Sequence, residues 1–259
     1  MMELFIELMF LGSLRESETA AIEIKNIDFE NKRIIIEHII GRVENDKINT
    51  PKGKSEIVKV FDKATEESKS TLVLKAPKTK NAKRFVMLTD SVIRDIKKRL
   101  TEIEEAKAIF KDKYHDNGLL FANNNGTPLE NRNIQNRFKK WQEKYITPDG
   151  GKLPIITPYR LRHYSCTAKL KFSNNDVKAV QRDMGVASPE MIHRVYSMME
   201  EESSSVTLSQ TMEAVFMNAS SDNKKNTEVN IDSMTDILIK YFKSNPKKKM
   251  DFITKIINA

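Results

Sequence analysis

Two arginines, a lysine and a tyrosine, scattered over most of the chain, have the side-chain types that one kind of chemistry needs. They are Arg15 in LGSLRESE, Lys78 in APKTKNAKR, Arg162 in TPYRLRHY and Tyr196 in IHRVYSM. A phenol can attack a phosphodiester when cations hold the non-bridging oxygens, which gain charge in the transition state. Arginine suits that role because its planar fork binds phosphate oxygens in pairs and stays charged. Lysine can donate the proton that the leaving 5′ oxygen needs. The set therefore predicts cleavage of a phosphodiester by a tyrosine.

The composition favours a globular protein with a polyanionic partner. Of the 259 residues, 39% are hydrophobic and 31% are charged, which is typical of a folded chain. Lysine and arginine number 44 against 36 acidic residues, so the net charge is +8 and the isoelectric point is about 9.3. Such a balance suits nucleic acid, although charge alone does not identify the partner.

The cysteine and histidine content argues against disulfides and metal sites. The single cysteine, Cys166, allows no disulfide within the chain and no zinc site of the cysteine type. The four histidines are dispersed and lack metal-ligand spacing, so we expect neither a metal nor another cofactor. One cysteine fits a reducing cytosol, and no apolar run approaches the roughly 18 residues of a membrane span. We therefore expect a cytoplasmic protein.

Hydrophobic patterning predicts the elements that must carry these residues. A helix opens the chain, β-branched residues over 33–43 indicate strands, and 44–70 has the character of an insertion or long loop. The runs TLVLKA and KRFVML flank PKTKNA, which predicts a hairpin with a lysine-bearing turn. Further helices are predicted over 90–110, 131–145, 158–171, 175–184 and 189–199.

The last part of the chain differs in kind from the rest. We assign the main domain to residues 1–200 and a helical tail to residues 201–259, with a polar linker near 219–229. The tail could be an interaction module or an accidental extension. Because the chain opens inside a helix, we also expect that something upstream is missing.

The words around the four residues resemble those of the tyrosine recombinases, the phage-integrase family. LGSLRESE resembles the family's first arginine box, and LVLKAPKTKNAKRFVML resembles its lysine-bearing hairpin. TPYRLRHY resembles the second box, usually His-x-x-Arg-His, and MGVASPEMIHRVYSM resembles the final box that carries the tyrosine. The resemblance covers about residues 4–199. It implies a mixed α+β fold, mainly α, with a small antiparallel sheet.

The resemblance also implies roles and partners. Arg15 and Arg162 would hold the phosphate, Lys78 would be the general acid, Tyr196 would form a 3′-phosphotyrosyl link and Glu18 would brace the site. The implied function is site-specific recombination of double-stranded DNA without metal or ATP, by a homo-oligomer that forms a tetramer on DNA. Type IB topoisomerases use a related site, but the box wording is closer to integrases of phages and conjugative elements.

Two positions depart from the family's pattern. Tyr159 stands where the first histidine of the second box is expected, and tyrosine is a poor proton acceptor at neutral pH. Val186 stands where a third-box histidine or tryptophan would donate to the phosphate, and losing one such donor costs on the order of 10²–10³ in rate. His163 matches the histidine after the catalytic arginine, and we favour a structural role for it. His193 lies three residues before Tyr196 and could partly compensate.

Several lysines and arginines are predicted to contact the DNA backbone. The predicted contacts are Lys80, Lys83, Arg84, Arg137, Lys139 and Lys140. On the helix that carries the last three, plain solvation is an equal alternative to phosphate contact. Lys80 is also the rival general acid if the hairpin register slips by two residues.

A second function stays open at this point. A truncated or degenerate integrase could bind DNA or partner protomers without turnover. The substitutions at Tyr159 and Val186 support this alternative. The family's separate core-binding domain, which normally precedes the catalytic domain and helps to clamp the duplex, is also not found in the sequence.

Overall fold

The computed structural model of the protein describes residues 1–63, 65–77, 79, 82–144, 155–173, 175–190 and 192–193. Lys78, Lys80 and Tyr196 lie outside the described residues. So do the tail predicted over 201–259 and its linker, and most of the helix predicted over 189–199.

Helices make up most of the described part of the chain. They are α1 (Met2–Leu11), α2 (Glu16–Ala20), α3 (Asn45–Ile48), α4 (Pro51–Glu56), α5 (Asp90–Phe110), α6 (Asn131–Lys144), α7 (Pro158–Phe172) and α8 (Val177–Met184). Single 3-10 turns follow α2 and α5, at Ile24–Asn26 and Lys111–Lys113. The helix predicted over 90–110 is confirmed as α5. Those predicted over 131–145, 158–171 and 175–184 are confirmed as α6, α7 and α8, with ends that differ by one or two residues.

Side-chain caps explain where three of these helices begin. Thr89, Thr157 and Asp176 precede α5, α7 and α8, and each accepts a hydrogen bond from a backbone N–H in the first turn. Such a cap satisfies a donor that the helix itself leaves without a partner. Pro158 adds to this at the start of α7, where a missing N–H has no cost.

The strands form two antiparallel sheets of three strands each. The strands are β1 (Ile27–Asp28), β2 (Arg33–Ile36), β3 (Ile39–Glu44), β4 (Ile57–Val60), β5 (Ser70–Lys75) and β6 (Arg84–Met87). One sheet has the order β1-β2-β6, with Ile34 opposite Val86, and the other has the order β3-β5-β4, with Ile40 opposite Leu74.

The predicted hairpin around the lysine-bearing turn is wrong in its pairing. β5 pairs with β3 and β4, whereas β6 pairs with β2, so the chain crosses from one sheet to the other between Lys75 and Arg84. The run over 33–43 likewise divides into β2 and β3, which belong to different sheets. Alternation of side chains identifies a strand but not its partner, which explains the error.

The segment over 44–70, which the sequence suggested was an insertion or long loop, contains regular structure. It holds α3, α4 and β4, and β4 extends the second sheet beside β5. The Thr50 side chain caps α4, and Pro51 occupies the first turn. Gly53 is required there because a Cβ atom would lie 2.2 Å from the carbonyl oxygen of Lys47.

The core is centred on α1, which packs against α5, α6 and α7. Phe5 of α1 meets Phe121 edge to face, with ring centroids 5.0 Å apart. A second, smaller cluster joins α7 to α8 and includes Cys166, Met184 and Val186. None of the described helices combines the length and the apolar character that a bilayer-spanning segment requires.

Truncation of a phenylalanine in this core tests the packing. We expect Phe121→Ala to lower the free energy of unfolding by about 3–5 kcal/mol, because a fully buried ring is lost and a cavity remains. Phe172→Ala is the matched control, since Phe172 is exposed at the end of α7, and it should cost about 0.5 kcal/mol or less. Urea unfolding of both variants measures the difference. Equal losses would contradict the placement of Phe121 in the core.

Candidate active site

The chain between α1 and α2 turns a tight corner over residues 10–15. Ser13 adopts the left-handed backbone region with φ of 46°, and the N–H of Leu14 bonds back to the carbonyl of Met9 at 2.9 Å. Gly12 packs so closely on β6 that a Cβ atom would lie 2.8 Å from a methyl group of Val86. The corner thus directs several carbonyl groups away from α1, and each needs a donor from elsewhere.

Helix α7 supplies three of these donors from one face. Arg162, Ser165 and Lys169 are spaced by three and four residues, which brings their side chains to the same side of the helix. Their acceptors are the carbonyl oxygens of Ser13, Phe10 and Leu11, respectively. The Ser165 and Ser13 hydroxyl oxygens also lie 2.7 Å apart. The helix that carries Arg162 is therefore fixed to the corner that carries Arg15.

Arg15 and Glu18 form a local pair at the start of α2. The Glu18 carboxylate accepts a hydrogen bond from the backbone N–H of Arg15 at 2.9 Å and one from Arg15 Nη1 at 2.6 Å. The backbone bond is half of a capping box, which fixes the first turn of the helix. The Glu18 side chain is 1% exposed, whereas that of Arg15 is 43% exposed. Glu18 is thus a buried brace, and Arg15 faces solvent.

Two further guanidinium groups meet the same carboxylate. Arg84 Nη2 lies 3.0 Å from Glu18 Oε2, and Arg162 Nη1 lies 3.7 Å from that oxygen. Both side chains are nearly inaccessible, at 6% and 2% exposed. Arg84 also donates to the carbonyl oxygens of Ala82 and Gly12, at 3.0 and 3.4 Å. We call Arg15, Arg84, Arg162 and Glu18 the arginine cluster.

The arginine cluster changes the expectation for Arg84. We predicted it among the cations that contact DNA at the surface. The structure instead places it inside the site, where it braces Glu18 and ties β6 to the corner. The Arg84 side chain is 6% exposed, and it bonds to Glu18 and to the carbonyls of Ala82 and Gly12.

The charges of the arginine cluster do not balance. Three guanidinium groups surround one carboxylate, which leaves an excess of two positive charges. Burial raises the pKa of Glu18, but Arg84, Arg15 and Arg162 outweigh burial, and the pKa is lowered from its ordinary value of 4.5. Burial, helped by repulsion from Arg15, lowers the pKa of Arg162 to about 10, so this group is still a cation at neutral pH. The cluster therefore favours an anionic ligand.

Arg15 is the member of the arginine cluster that such a ligand can reach. Its Nη1 donates to Glu18. Among the described residues, Nε and Nη2 have no acceptor, so both remain free donors. Arg162, in contrast, donates from Nη1 to the carbonyl of Ser13 and from Nη2 to the carbonyl of Met184 at 3.0 Å. Arg162 is thereby held rigidly behind Arg15.

Tyr159 and His163 lie together on the first turns of α7. Their ring centroids are 4.4 Å apart, and Tyr159 is mostly exposed. Nε2 of His163 is buried and has no hydrogen-bond partner among the described residues. Burial, with the nearby Arg162 and Arg160, lowers the pKa of His163, so its ring is neutral at pH 7. The pair combines an exposed hydroxyl with an uncharged imidazole.

The other predicted site residues that the structure describes are mostly exposed, except Val186 and Arg137. Val186 is 7% exposed and packs in the second core cluster, and its aliphatic side chain has no hydrogen-bond donor. His193 is exposed. Lys83, Lys139 and Lys140 are exposed as well, and Arg137 is half-buried and donates to Asn123 at 2.7 Å.

Lys78 and Lys80 lie outside the described residues, but the chain on either side of them is anchored. Before them, the N–H of Ala76 bonds to the carbonyl of Glu56 at 2.9 Å, which ties the residue after β5 to the end of α4. The N–H of Ala82 bonds to the carbonyl of Thr79, which lies between the two lysines, and Arg84 joins the arginine cluster. The chain therefore enters the candidate site at Arg84.

Reasoning from sequence missed Arg84, Ser165 and Lys169 as parts of the site. The spacing of the two α7 residues from Arg162 was the available signal. Histidine spacing also missed one cluster of metal-ligand types among the described residues, namely Glu23, Glu37 and His38. There, His38 Nδ1 lies 2.6 Å from Glu23, and the Lys25 ammonium lies 2.7 Å from the same carboxylate. His38 and Lys25 thus already bind the Glu23 carboxylate.

Comparisons with known proteins point to one family. The model of the phage integrase family matches residues 2–203. The transposase from transposon Tn916 of Enterococcus faecalis is 27% identical over 184 residues, which are 71% of this chain and 39% of that protein. The integrase of Staphylococcus phage L54a is 22% identical over 192 residues, which are 74% of this chain and 46% of that protein. The chain spans less than half the length of these relatives.

Solved structures agree on the fold. The Tn1549 transposon integrase in complex with transposon right-end DNA has a TM-score of 0.53 and 22% identity, over 74% of this chain and 52% of that chain. The same integrase in complex with a circular intermediate DNA also has a TM-score of 0.53, with 21% identity, over 81% of this chain and 58% of that chain. The predicted class, mixed α+β and mainly α, is confirmed, with two small antiparallel sheets where one was expected.

Neutralising Glu18 tests the arginine cluster. We expect Glu18→Gln to lower the free energy of unfolding at neutral pH by about 3–5 kcal/mol, because it leaves buried arginines without their carboxylate. The pKa of Glu18 is lowered on folding, so its charge stabilises the fold fully above about pH 4.5 and loses this effect as the pH falls through the folded-state pKa. The difference between variant and wild type should therefore shrink below pH 4.5 in urea unfolding.

Glu16→Gln is the matched control for this prediction. Burial raises the pKa of Glu16, so ionisation of this carboxyl opposes folding as the pH rises above 4.5. Its substitution should be neutral or stabilising at pH 7, whereas Glu18→Gln should be destabilising. Identical behaviour of the two variants would contradict the arginine cluster as the reason for the effect.

Proposed function

The chain belongs to the phage integrase family, and from this membership we propose that it cleaves and rejoins double-stranded DNA at specific sites through a covalent bond to Tyr196. The observation that carries the proposal is the arginine cluster. It holds an excess of positive charge beside an exposed guanidinium, at the positions where the family resemblance expects the phosphate to bind.

The proposed reaction exchanges one phosphate ester for another. The Tyr196 phenol oxygen forms a bond to phosphorus, the bond from phosphorus to the 5′ oxygen breaks, and the phenol proton passes to solvent or a nearby base. The leaving 5′ oxygen takes a proton from the Lys78 ammonium. Rejoining runs in reverse, with a 5′ hydroxyl as the nucleophile. Because one ester replaces another, the exchange needs no external energy source.

The two phosphate-binding arginines have different tasks in this proposal. Arg15 has free donors and contacts the non-bridging oxygens directly. Arg162 is buried and fixed by the carbonyls of Ser13 and Met184, so its charge acts from a preset position. Fixed charges in a site of low dielectric stabilise a transition state without reorganising first. Glu18 positions both arginines and takes no part in proton transfer.

Tyr159 is proposed as a hydrogen-bond donor to the phosphate in place of the family's histidine. Its exposed hydroxyl lies on the first turn of α7, three residues before Arg162. The neutral ring of His163 packs against it and fixes its direction. A phenol can donate to a phosphate oxygen, although it cannot serve as a base at pH 7 as an imidazole can.

A second candidate is an integrase that binds DNA or partner protomers without turnover. Val186 favours it, since the side chain at the third-box position is packed into the core and cannot donate a hydrogen bond. The proposed partners in both cases are double-stranded DNA and further copies of the chain, with a tetramer on DNA. The proposed location is the cytoplasm.

Capture of a covalent adduct tests cleavage. Nicked suicide duplexes of randomised sequence, from which the cleaved strand cannot be rejoined, should become attached to the wild-type chain and not to Tyr196→Phe. A denaturing gel with labelled DNA measures the attachment. An adduct that persists in Tyr196→Phe would exclude this nucleophile. If the wild-type chain forms none, even with an added core-binding domain, the function without turnover is the correct one.

Substitution of Lys78 and Lys80 tests the general acid. We expect Lys78→Ala to slow adduct formation by about 10²–10⁴, the usual effect of losing a positioned proton donor. Lys80→Ala is the matched control and should have a smaller effect. A substrate with sulfur in place of the bridging 5′ oxygen should restore the rate of Lys78→Ala, because a thiolate leaves without a proton. Rescue of Lys80→Ala instead would move the role to Lys80.

A further inference from the structure

An open groove lies between the start of β6 and the end of α8. Its described lining consists of Lys83, Lys178, Gln181, Arg182, Gly185 and Val186, and we call it the basic groove. Lys178 and Arg182 are four residues apart on α8, so they project from the same face of that helix. Lys83 faces them from the segment that leads into β6.

The basic groove holds positive charge that the described structure does not neutralise. Lys83, Lys178 and Arg182 are exposed, and none of the three forms an ion pair with a described residue. No described carboxylate lines the groove. The neighbouring Asp183 is committed elsewhere, because it pairs with Lys169. Three cations without counter-charges in one concave surface favour a polyanion.

Both walls of the basic groove are joined to the arginine cluster. On one wall, Lys83 directly precedes Arg84, whose Nη2 lies 3.0 Å from Glu18. On the other wall, Gly185 directly follows Met184, whose carbonyl accepts a hydrogen bond from Arg162 at 3.0 Å. The groove therefore borders the site at which the proposed reaction takes place.

We propose that the basic groove binds the DNA phosphate next to the one that the arginine cluster holds. This inference rests on the proposed function, because it takes the arginine cluster as the place of the reacting phosphate. Lys83, Lys178 and Arg182 would each contact backbone oxygens and read no base. The contacts would fix the strand in register, so that the reacting phosphate meets Arg15 rather than sliding past it.

In this proposal Val186, at the third-box position, has a packing role although its side chain cannot donate a hydrogen bond. Val186 forms the floor of the basic groove and closes the second core cluster beneath it. Gln181 holds this floor, since its side-chain amide donates to the carbonyls of Val186 and Ala187 at 3.3 and 3.1 Å. The positive charge comes from Lys83, Lys178 and Arg182 at the edges. Val186 packs between them and supports the groove floor.

The dependence of DNA binding on salt tests the proposal. Each phosphate contact contributes about 0.9 to the slope of log K against log salt on duplex DNA. For Lys178→Gln/Arg182→Gln in the full chain, we expect the slope to become less steep by about 1.8, which is two contacts at about 0.9 each. For Lys83→Gln we expect about 0.9. Fluorescence anisotropy of a labelled duplex of arbitrary sequence, titrated at several KCl concentrations, measures each slope.

A matched pair of substitutions on another helix provides the control. Arg94 and Lys98 of α5 are exposed and are also four residues apart. Arg94→Gln/Lys98→Gln removes the same charge outside the basic groove and should leave the slope near that of the wild type. Thermal melting confirms that all variants fold, since only exposed side chains change.

The outcomes separate this proposal from the proposed function. An unchanged slope in both groove variants, or an equal change in the α5 control, overturns the basic groove. Adduct formation on suicide duplexes is measured with the same proteins. A reduced slope without any adduct keeps the groove as a DNA-binding surface and rejects cleavage. An adduct with an unchanged slope rejects the groove alone, and a wild-type chain that binds no duplex rejects both.

Discussion

The described site depends on one buried carboxylate. Removing a charged group from water costs several kcal/mol, and only close partners of opposite charge repay that cost. Glu18 has three such partners, Arg15, Arg84 and Arg162, which come from the α1–α2 corner, strand β6 and helix α7. The carboxylate therefore selects the arrangement in which those three elements converge. Displacement of β6 or α7 would separate a buried guanidinium group from this carboxylate.

The corner between α1 and α2 adds a second requirement that the same elements meet. Its carbonyls take hydrogen bonds from side chains of α7 and from Arg84, so helix α7 has little freedom to slide or rotate. Arg162 serves both requirements, because it bonds to a carbonyl of the corner and lies beside Glu18. A group that is held for structural reasons is also a group whose charge is already in position. The described site is therefore held in place by contacts within the chain itself.

The positive charge at the surface extends from Arg15 along α8. Most of the positive charge of the arginine cluster is buried, Arg15 brings it to solvent, and the basic groove continues it along α8. Arg42 and Glu130 provide a contrast, since they bind each other through both carboxylate oxygens and leave little charge for a ligand. Net charge alone does not distinguish these cases. What distinguishes them is whether a cation already has a partner within the fold.

The sequence by itself determined the fold class, most helix positions, the Arg15–Glu18 pair and the family. The helix positions follow from periodicity and caps, which depend on local geometry. The fold class, the family and the bracing role of Glu18 follow from the resemblance of the sequence motifs that carry Arg15, Lys78, Arg162 and Tyr196. Tertiary structure alone decided that Arg84 joins the site, that β5 and β6 lie in different sheets, and how deeply Arg162 is buried. Arg84 and Glu18 are 66 residues apart, and Arg162 and Ser13 are 149 apart. At such separations no spacing rule applies, because the packing of α1, β6 and α7 around one buried charge selects the partners.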